Sequence, residues 1–208
     1  VEKLEQTAAE IGDAAHCVAM DVSDSDSIRR ALDEVYAIAA PTVLVNNAGA
    51  SSMLTLNAAP EEEWDQIFNT NVKGAWLLSR AVCERMAETG GGSIVNITSV
   101  LASTSQKGTG GYPAAKAGLE HLTRGMALEW ARYGVRVNAL APGYYHTDMA
   151  GEFLESAGGE ALVKKVAMRR LGQPDDMDGA ILLLCSNASR YMTGSVITVD
   201  GGLSLAVI

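Results

Sequence analysis

Short apolar segments alternate with longer amphipathic segments along almost the whole chain. The short segments predict strands over 16–22, 42–49, 92–99, 135–143 and 195–202. The longer segments carry apolar residues at helical spacing and predict helices over 2–11, 25–39, 60–88, 111–133, 151–167 and 174–188. Because the predicted strands are continuously apolar, both of their faces should be buried, as in a parallel sheet covered by helices. The pattern therefore predicts an α/β fold with a doubly wound parallel sheet.

Length and composition are typical of one soluble globular domain covering residues 1–208. The chain is 48% hydrophobic and 20% charged, and it contains neither an internal repeat nor a linker. Its net charge of −9 argues against nucleic acid as a partner. The cysteines, Cys17, Cys83 and Cys185, lack metal-ligand spacing, so we expect no metal site and a reducing, cytoplasmic location. No apolar segment is long enough to predict a membrane span.

Tyr112 and Lys116 lie one helical turn apart at the start of the predicted helix 111–133, directly after a run of glycines. A core helix needs neither side chain at that place. The pair could be a solvated contact, or it could be an acid–base pair in which the ammonium favours the phenolate form of the tyrosine. A single Tyr-x-x-x-Lys spacing leaves both interpretations open.

The unusual short motifs of the chain all follow predicted strands. They are Asp21-Val22, the Asn46–Gly49 segment, Thr98-Ser99 and Pro142-Gly143. In a doubly wound parallel sheet, ligands bind beyond the carboxyl ends of the strands. Because all four motifs follow predicted strands, the sequence predicts a functional site at that edge of the sheet.

Six motifs together carry a resemblance to a known family. They are NNAG (46–49), NTNVKG (69–74), VNITS (95–99), YPAAK (112–116), RVNALAPG (136–143) and VDGG (199–202). In this order and spacing the chain resembles the short-chain dehydrogenase/reductase family, from about residue 12 to its end. The resemblance implies a Rossmann-type sheet flanked by helices. It also implies hydride transfer between NAD or NADP and a small-molecule alcohol or ketone.

The resemblance implies four catalytic residues, Asn71, Ser99, Tyr112 and Lys116. Tyr112 would exchange the proton with the substrate oxygen, and Lys116 would lower the pKa of Tyr112 and bind the nicotinamide ribose. Ser99 would position the reacting oxygen, while its neighbour Thr98 would satisfy backbone groups at the strand end. Asn71 would distort its helix locally and hold a water of a proton relay, a role for which Asn69 competes.

The resemblance also implies a set of cofactor contacts. These residues are Asp21 and Val22 at the adenine edge, Asn47, Ala48 and Gly49 along the adenosine ribose, Tyr112 and Lys116, and Pro142, Gly143, Tyr145 and Thr147 near the nicotinamide and pyrophosphate. Asn46 is instead expected to tie neighbouring strands together. A substrate lid is expected at about 144–170.

Two parts of the family pattern are not found in this sequence. They are the glycine-rich phosphate loop with its first βα unit, and the second strand, whose end separates NAD from NADP. We expect the parent protein to contain this segment, in which case its intact mass exceeds 21.8 kDa. The preference between NAD and NADP is therefore not readable from these residues.

The sequence leaves several functions and assemblies open. The favoured substrate is a sugar or polyol, and the alternatives are a 3-oxoacyl-(acyl-carrier-protein) reductase and a non-catalytic cofactor-binding protein. Arg169 and Arg170 form the only basic cluster that could serve an acidic carrier protein. The apolar residues of helix 111–133 favour a homotetramer or homodimer; they are Leu119, Leu122, Met126 and Trp130.

Overall fold

The computed structural model of the protein describes residues 2–146 and 157–205. Its helices are α1 (Glu2–Ile11), α2 (Ser25–Ile38), α3 (Glu61–Phe68), α4 (Ala75–Glu88), α5 (Tyr112–Trp130), α6 (Ala157–Lys165) and α7 (Asp178–Cys185). Its strands are β1 (Val43–Asn46), β2 (Gly92–Ile97), β3 (Val135–Pro142) and β4 (Val196–Val199). Helices and strands therefore alternate as the hydrophobic pattern predicts.

The strands form one parallel sheet in the order β1-β2-β3-β4, which confirms the predicted α/β class. The central strands β2 and β3 are buried on both faces. Ile94 and Val137 pack with α2, α4 and α5 on one face, whereas Val95 and Leu140 pack with Leu184 of α7 on the other. Because the strands are parallel, all of their carboxyl ends lie at one edge of the sheet.

A buried polar network links the sheet to α5. The Asn46 amide donates to the Asn96 side-chain oxygen and to the Ser79 hydroxyl, each at 2.7 Å. The Asn96 amide in turn donates to the Thr123 hydroxyl at 2.8 Å. Every buried polar group needs such a partner, so this network fixes the register of β1 against β2. It confirms that Asn46 ties neighbouring strands together.

The predicted strand over 16–22 is wrong. These residues have no regular secondary structure. A strand exists only when a neighbour completes its hydrogen bonds, and within residues 2–146 and 157–205 no strand lies beside this segment. β1 is an edge strand of the sheet, and its residues Val43 and Val45 are 38% and 40% exposed.

The predicted helix 60–88 is interrupted by a π-helical segment at Asn69–Gly74, between α3 and α4. The predicted helix 151–167 is observed as α6, and 147–156 lie outside the described residues. Across the part of the chain that the structure describes, no helix is both long and apolar enough to span a membrane.

Candidate active site

The end of β2 brings the predicted lysine and serine to one place. The Lys116 ammonium on α5 donates to the carbonyl oxygen of Ile97, the last residue of β2, at 2.8 Å. Ser99 follows two residues later, and its hydroxyl accepts the Leu101 N–H at 3.1 Å. Both side chains are nearly buried, with Lys116 4% and Ser99 8% exposed. The carboxyl end of β2 therefore orients two of the four predicted catalytic residues.

Tyr112 begins α5 directly beside these groups. Its phenol lies close enough to the Ser99 side chain for the two groups to interact. The Lys116 nitrogen lies 5.6 Å from the centre of the Tyr112 ring. Pro113 occupies the first turn of α5, where a backbone N–H is not required. Tyr112, Ser99 and Lys116 thus form one cluster, as the motifs predict.

The ionisation of this cluster differs from the expectation that Lys116 makes Tyr112 more acidic. Burial raises the pKa of Tyr112 above its usual range, and the interaction with Ser99 acts in the opposite direction. Burial also lowers the pKa of the Lys116 ammonium to about 8. For Tyr112, desolvation therefore outweighs the interaction with Ser99, and the pKa of the phenol lies above its ordinary value. A positive charge close to the phenol would act against burial and favour the phenolate.

Asn71 lies in the π-helical segment and is 1% exposed. Its amide nitrogen donates to the Ala50 carbonyl at 2.7 Å and to the Ile67 carbonyl at 2.9 Å. The second bond competes with the backbone ladder, which explains the predicted distortion of the helix. The Asn71 side-chain oxygen is buried and has no hydrogen-bond partner among the described residues. Asn69 is only the first residue of the segment and shows no such arrangement.

Gly49 supplies the test of whether these residues fit a dinucleotide. A Cβ atom at Gly49 would lie 3.0 Å from the Asn71 oxygen and 3.5 Å from the Lys116 nitrogen. The exposed backbone at Gly49 therefore passes directly over both polar groups, with no space for a side chain. A bare backbone beside an unpartnered buried oxygen and a buried ammonium fits the close approach of a polar cofactor.

The other predicted adenosine contacts lie at the same edge of the sheet. Val22, Asn47 and Ala48 line a cavity of about 90 Å³ beside the end of β1. Asp21 is exposed, and its carboxylate accepts the Ser23 N–H at 2.8 Å and the Ser23 hydroxyl at 2.7 Å. Those hydrogen bonds hold the pKa of Asp21 below its usual value. The carboxylate therefore stays ionised in a small turn at this edge.

The predicted contacts after β3 are only partly brought together. Gly143 donates its N–H to the Val199 carbonyl at 3.0 Å, and a Cβ there would lie 2.8 Å from the Asp200 backbone. Tyr145 is buried, and its hydroxyl donates to the same carbonyl at 2.9 Å. The Tyr145 ring therefore has a packing role beside the end of β4, next to Pro142. Thr147 lies outside the described residues.

A cavity of about 280 Å³ opens beside Tyr112 and Ser99. Its walls include Tyr144, the first residue of the predicted lid, and residues that the sequence motifs did not indicate, namely Ser51, Ser52, Met53, Gln106 and Lys107. Gln106 and Lys107 lie in the loop between β2 and α5. The one signal that could have found them is their position between Ser99 and Tyr112 in a polar, glycine-rich loop.

Comparison with known proteins agrees with this geometry. A family model described as "Enoyl-(Acyl carrier protein) reductase" matches residues 1–204. Gluconate 5-dehydrogenase of Gluconobacter oxydans is 34% identical, with 93% of this chain and 76% of that protein covered. A 3-oxoacyl-(acyl-carrier-protein) reductase of Pseudomonas aeruginosa is 35% identical, with 99% of this chain and 83% of that protein covered.

A solved structure of gluconate 5-dehydrogenase from Burkholderia cenocepacia, in complex with NADP and tartrate, superimposes with a TM-score of 0.92. It is 35% identical, and the match covers 99% of this chain and 81% of that one. Fold, motif order and sequence identity therefore agree over nearly the whole chain. The chain belongs to the short-chain dehydrogenase/reductase family.

Proposed function

We propose that the protein is an NAD(P)-dependent oxidoreductase that interconverts a secondary alcohol and a ketone in a sugar or polyol. The observation that carries the proposal is that Tyr112 and Ser99 line one cavity at the carboxyl edge of the sheet, where Lys116 is bonded to the end of β2. Relatives whose names include gluconate 5-dehydrogenase support the substrate class.

Tyr112 acts as the general acid–base group in this proposal. During reduction its phenol donates a proton to the carbonyl oxygen of the substrate, and during oxidation the phenolate accepts the alcohol proton. The Ser99 hydroxyl, which interacts with the phenol, holds the same substrate oxygen at the cavity wall. The nicotinamide supplies the hydride acceptor or donor when the dinucleotide is bound.

Lys116 and Asn71 support the cofactor and the proton path. Lys116 would hold the nicotinamide ribose, and its buried ammonium stabilises negative charge on the Tyr112 oxygen. The unpartnered Asn71 oxygen and the Lys116 nitrogen both lie within 3.5 Å of one point over Gly49. A water bonded to both groups would connect Lys116 toward solvent. The residues that would bind adenosine are Asp21, Val22, Asn47, Ala48 and Gly49.

The structure provides an argument against the acyl-carrier alternative. Both arginines of the basic cluster are already engaged. Arg170 forms a bidentate pair with Asp176 at 2.5 and 2.9 Å, and the Arg169 guanidinium donates to the Lys164 carbonyl. Arginines held by their own chain are poor docking groups for an acidic carrier protein. This observation favours the sugar or polyol substrate.

Absorbance at the reduced-nicotinamide band tests the proposal. The protein is assayed with NAD⁺ and NADP⁺ on aldonates, polyols and simple secondary alcohols, and in reverse on ketones and a 3-oxoacyl thioester. We expect turnover of polyhydroxy substrates. Turnover of the thioester alone would support the reductase alternative, and no absorbance change with any substrate would support a non-catalytic role.

A paired substitution separates the roles of the two adjacent hydroxyls at the end of β2. The Thr98 hydroxyl contacts the Leu140 carbonyl at 3.2 Å and a Glu120 oxygen at 3.3 Å, away from the phenol. We expect Ser99→Ala to lower kcat by about 100-fold, because the reacting oxygen loses a hydrogen-bond donor in the transition state. Thr98→Val should leave kcat within about twofold and lower the free energy of unfolding by about 1 kcal/mol. Steady-state kinetics and urea unfolding measure both effects, and a reversed order would exclude this assignment.

We also propose a cytoplasmic homodimer or homotetramer. The apolar residues of α5 that the sequence suggested for subunit contacts lie in the core instead. Leu119 and Met126 are buried, and Leu122 and Trp130 pack against the core cluster. Leu128 on the same helix is 84% exposed and provides the apolar contact instead. Light scattering coupled to gel filtration should give an assembly that Leu128→Glu dissociates, and a wild-type monomer would contradict it.

A further inference from the structure

We propose that the substrate carries a carboxylate and that Lys107 binds it. This inference rests on the proposed function, since it names the substrate class of the same cavity. Lys107 lies in the loop between β2 and α5, five residues before Tyr112, and lines the cavity of about 280 Å³ that also contains Tyr112 and Ser99. A substrate whose hydroxyl or carbonyl meets Tyr112 can therefore present its far end to Lys107.

The charges around this cavity point to an anionic group. Lys107 is the only basic residue among the described lining residues, which include neither an aspartate nor a glutamate. Within residues 2–146 and 157–205 the Lys107 ammonium forms neither a hydrogen bond nor an ion pair. An unpaired cation at a cavity that holds no opposite charge is complementary to a carboxylate.

The surrounding contacts hold this part of the loop in place. The Tyr144 hydroxyl donates to the side-chain oxygen of Gln106, and this bond joins the loop after β2 to the segment after β3. The Thr109 hydroxyl donates to the Gln106 carbonyl at 2.8 Å. Lys107 therefore extends from a loop that is tied on both sides of the cavity. Such an attachment limits the positions that its ammonium can take relative to Tyr112.

The net charge of the protein makes a local cation necessary for an anionic substrate. The chain carries −9 at neutral pH, so its average field repels a carboxylate. A cation at the cavity wall offsets that repulsion where the substrate binds. The size of the cavity is near the lower limit of ligand sites, about 300–1,000 Å³, and fits a small hydroxy acid.

The inference is tested with pairs of substrates that have the same length and differ in charge. Wild-type protein should use an aldonate such as gluconate with a KM at least about tenfold below that of a neutral polyol of the same length such as galactitol. Lys107→Gln should raise KM for the aldonate by about tenfold, the effect of one charge-assisted hydrogen bond open to water, with kcat within about twofold. KM for the polyol should not change. Lys107→Arg should restore the preference.

The ionic-strength dependence provides a second readout that a merely structural role would not change. We expect kcat/KM for the aldonate to fall with added salt in the wild type and to become nearly salt-independent in Lys107→Gln. Lys3→Gln is the control, because it removes the same charge at an exposed lysine of α1, which lies outside the predicted lid and does not line the cavity. It should behave as the wild type does.

The outcomes separate this inference from the proposed function. If the protein oxidises neutral polyols as well as aldonates, or if Lys107→Gln affects both substrates equally, the carboxylate assignment is wrong and the oxidoreductase proposal is unaffected. If the protein prefers a 3-oxoacyl thioester and this preference depends on Lys107, the carboxylate assignment is wrong and a phosphate-bearing acyl substrate is favoured. If no alcohol or ketone reacts with either nicotinamide, the proposed function itself fails.

Discussion

Tyr112→Phe should lower kcat by about a thousandfold or more in both directions while the protein remains folded. The substitution removes only the hydroxyl that interacts with Ser99, and the ring keeps its place at the start of α5. General acid–base catalysis contributes about 10²–10⁴ to such reactions, and this phenol lines the cavity beside Ser99. Steady-state kinetics at the reduced-nicotinamide band measure the loss.

The control for this experiment is dinucleotide binding by the same variant. Fluorescence titration of the reduced nicotinamide should give a Kd within about threefold of the wild type, because the cofactor contacts proposed at Gly49 and Lys116 are unchanged. Tyr144→Phe is a matched substitution, since Tyr144 also lines the cavity and the partner of its hydroxyl among the described residues is Gln106. Turnover by Tyr112→Phe at a tenth of the wild-type rate would refute the mechanism.

Lys116→Met should inactivate the protein and stabilise it at the same time. We expect kcat/KM to fall by at least about 100-fold, because the ammonium that stabilises the phenolate and would hold the cofactor ribose is lost. The free energy of unfolding at pH 7 should rise by about 1–2 kcal/mol. An ammonium that is 4% exposed is costly to keep charged, and the loss of its hydrogen bond to Ile97 offsets part of the gain.

The pH dependence of this stability follows from the direction of the Lys116 pKa shift. Burial lowers the pKa of the folded lysine from 10.5 to about 8, so between these values the unfolded chain binds more protons than the folded one. Stability of the wild type should therefore rise, relative to Lys116→Met, as the pH increases from 8 to 10.5. Below pH 8 the difference should be constant and should favour the variant.

Urea unfolding of both proteins between pH 7 and 10.5 checks this expectation. Lys165→Met, on an exposed lysine at the end of α6, is the control for the same substitution at a lysine that is not buried. A wild type that is more stable than Lys116→Met at pH 7 would show that the buried ammonium is compensated by contacts other than the Ile97 carbonyl.

Local features of the sequence predicted those parts of the structure that depend on local interactions or on burial of both strand faces. Gly12 ends α1 in a left-handed conformation, and the acidic first turn of Glu61 starts α3, as expected from helix-end chemistry. The apolar runs at β2 and β3 became the buried centre of the sheet. Asn71, a poor helix former, marked the place where the long helix changes to a π-helix.

The prediction failed where the outcome depends on a partner distant in the chain. The segment 16–22 has the composition of a strand, yet strand formation requires a neighbouring backbone, and composition cannot provide it. The acidity of Tyr112 was predicted from its spacing to Lys116. Burial, a property of the packed structure, sets the direction of the shift instead. The sequence shows that Arg169 and Arg170 are adjacent, but only the packed structure shows that Asp176 binds Arg170 and that the Lys164 carbonyl binds Arg169.

The sequence by itself predicted the alternation of strands and helices and the edge of the sheet at which a site would lie, and its resemblance to the family pointed to Tyr112, Ser99, Lys116 and Asn71. These follow from periodicity and from motifs that are short enough to be local. Only the tertiary structure decided which groups meet there. It placed Lys107 and Tyr144 around the same cavity as the Tyr112 phenol and left the Asn71 oxygen buried beside Gly49. Distances, burial and charge balance are set by segments that pack together from remote parts of the chain, and a linear pattern does not contain them.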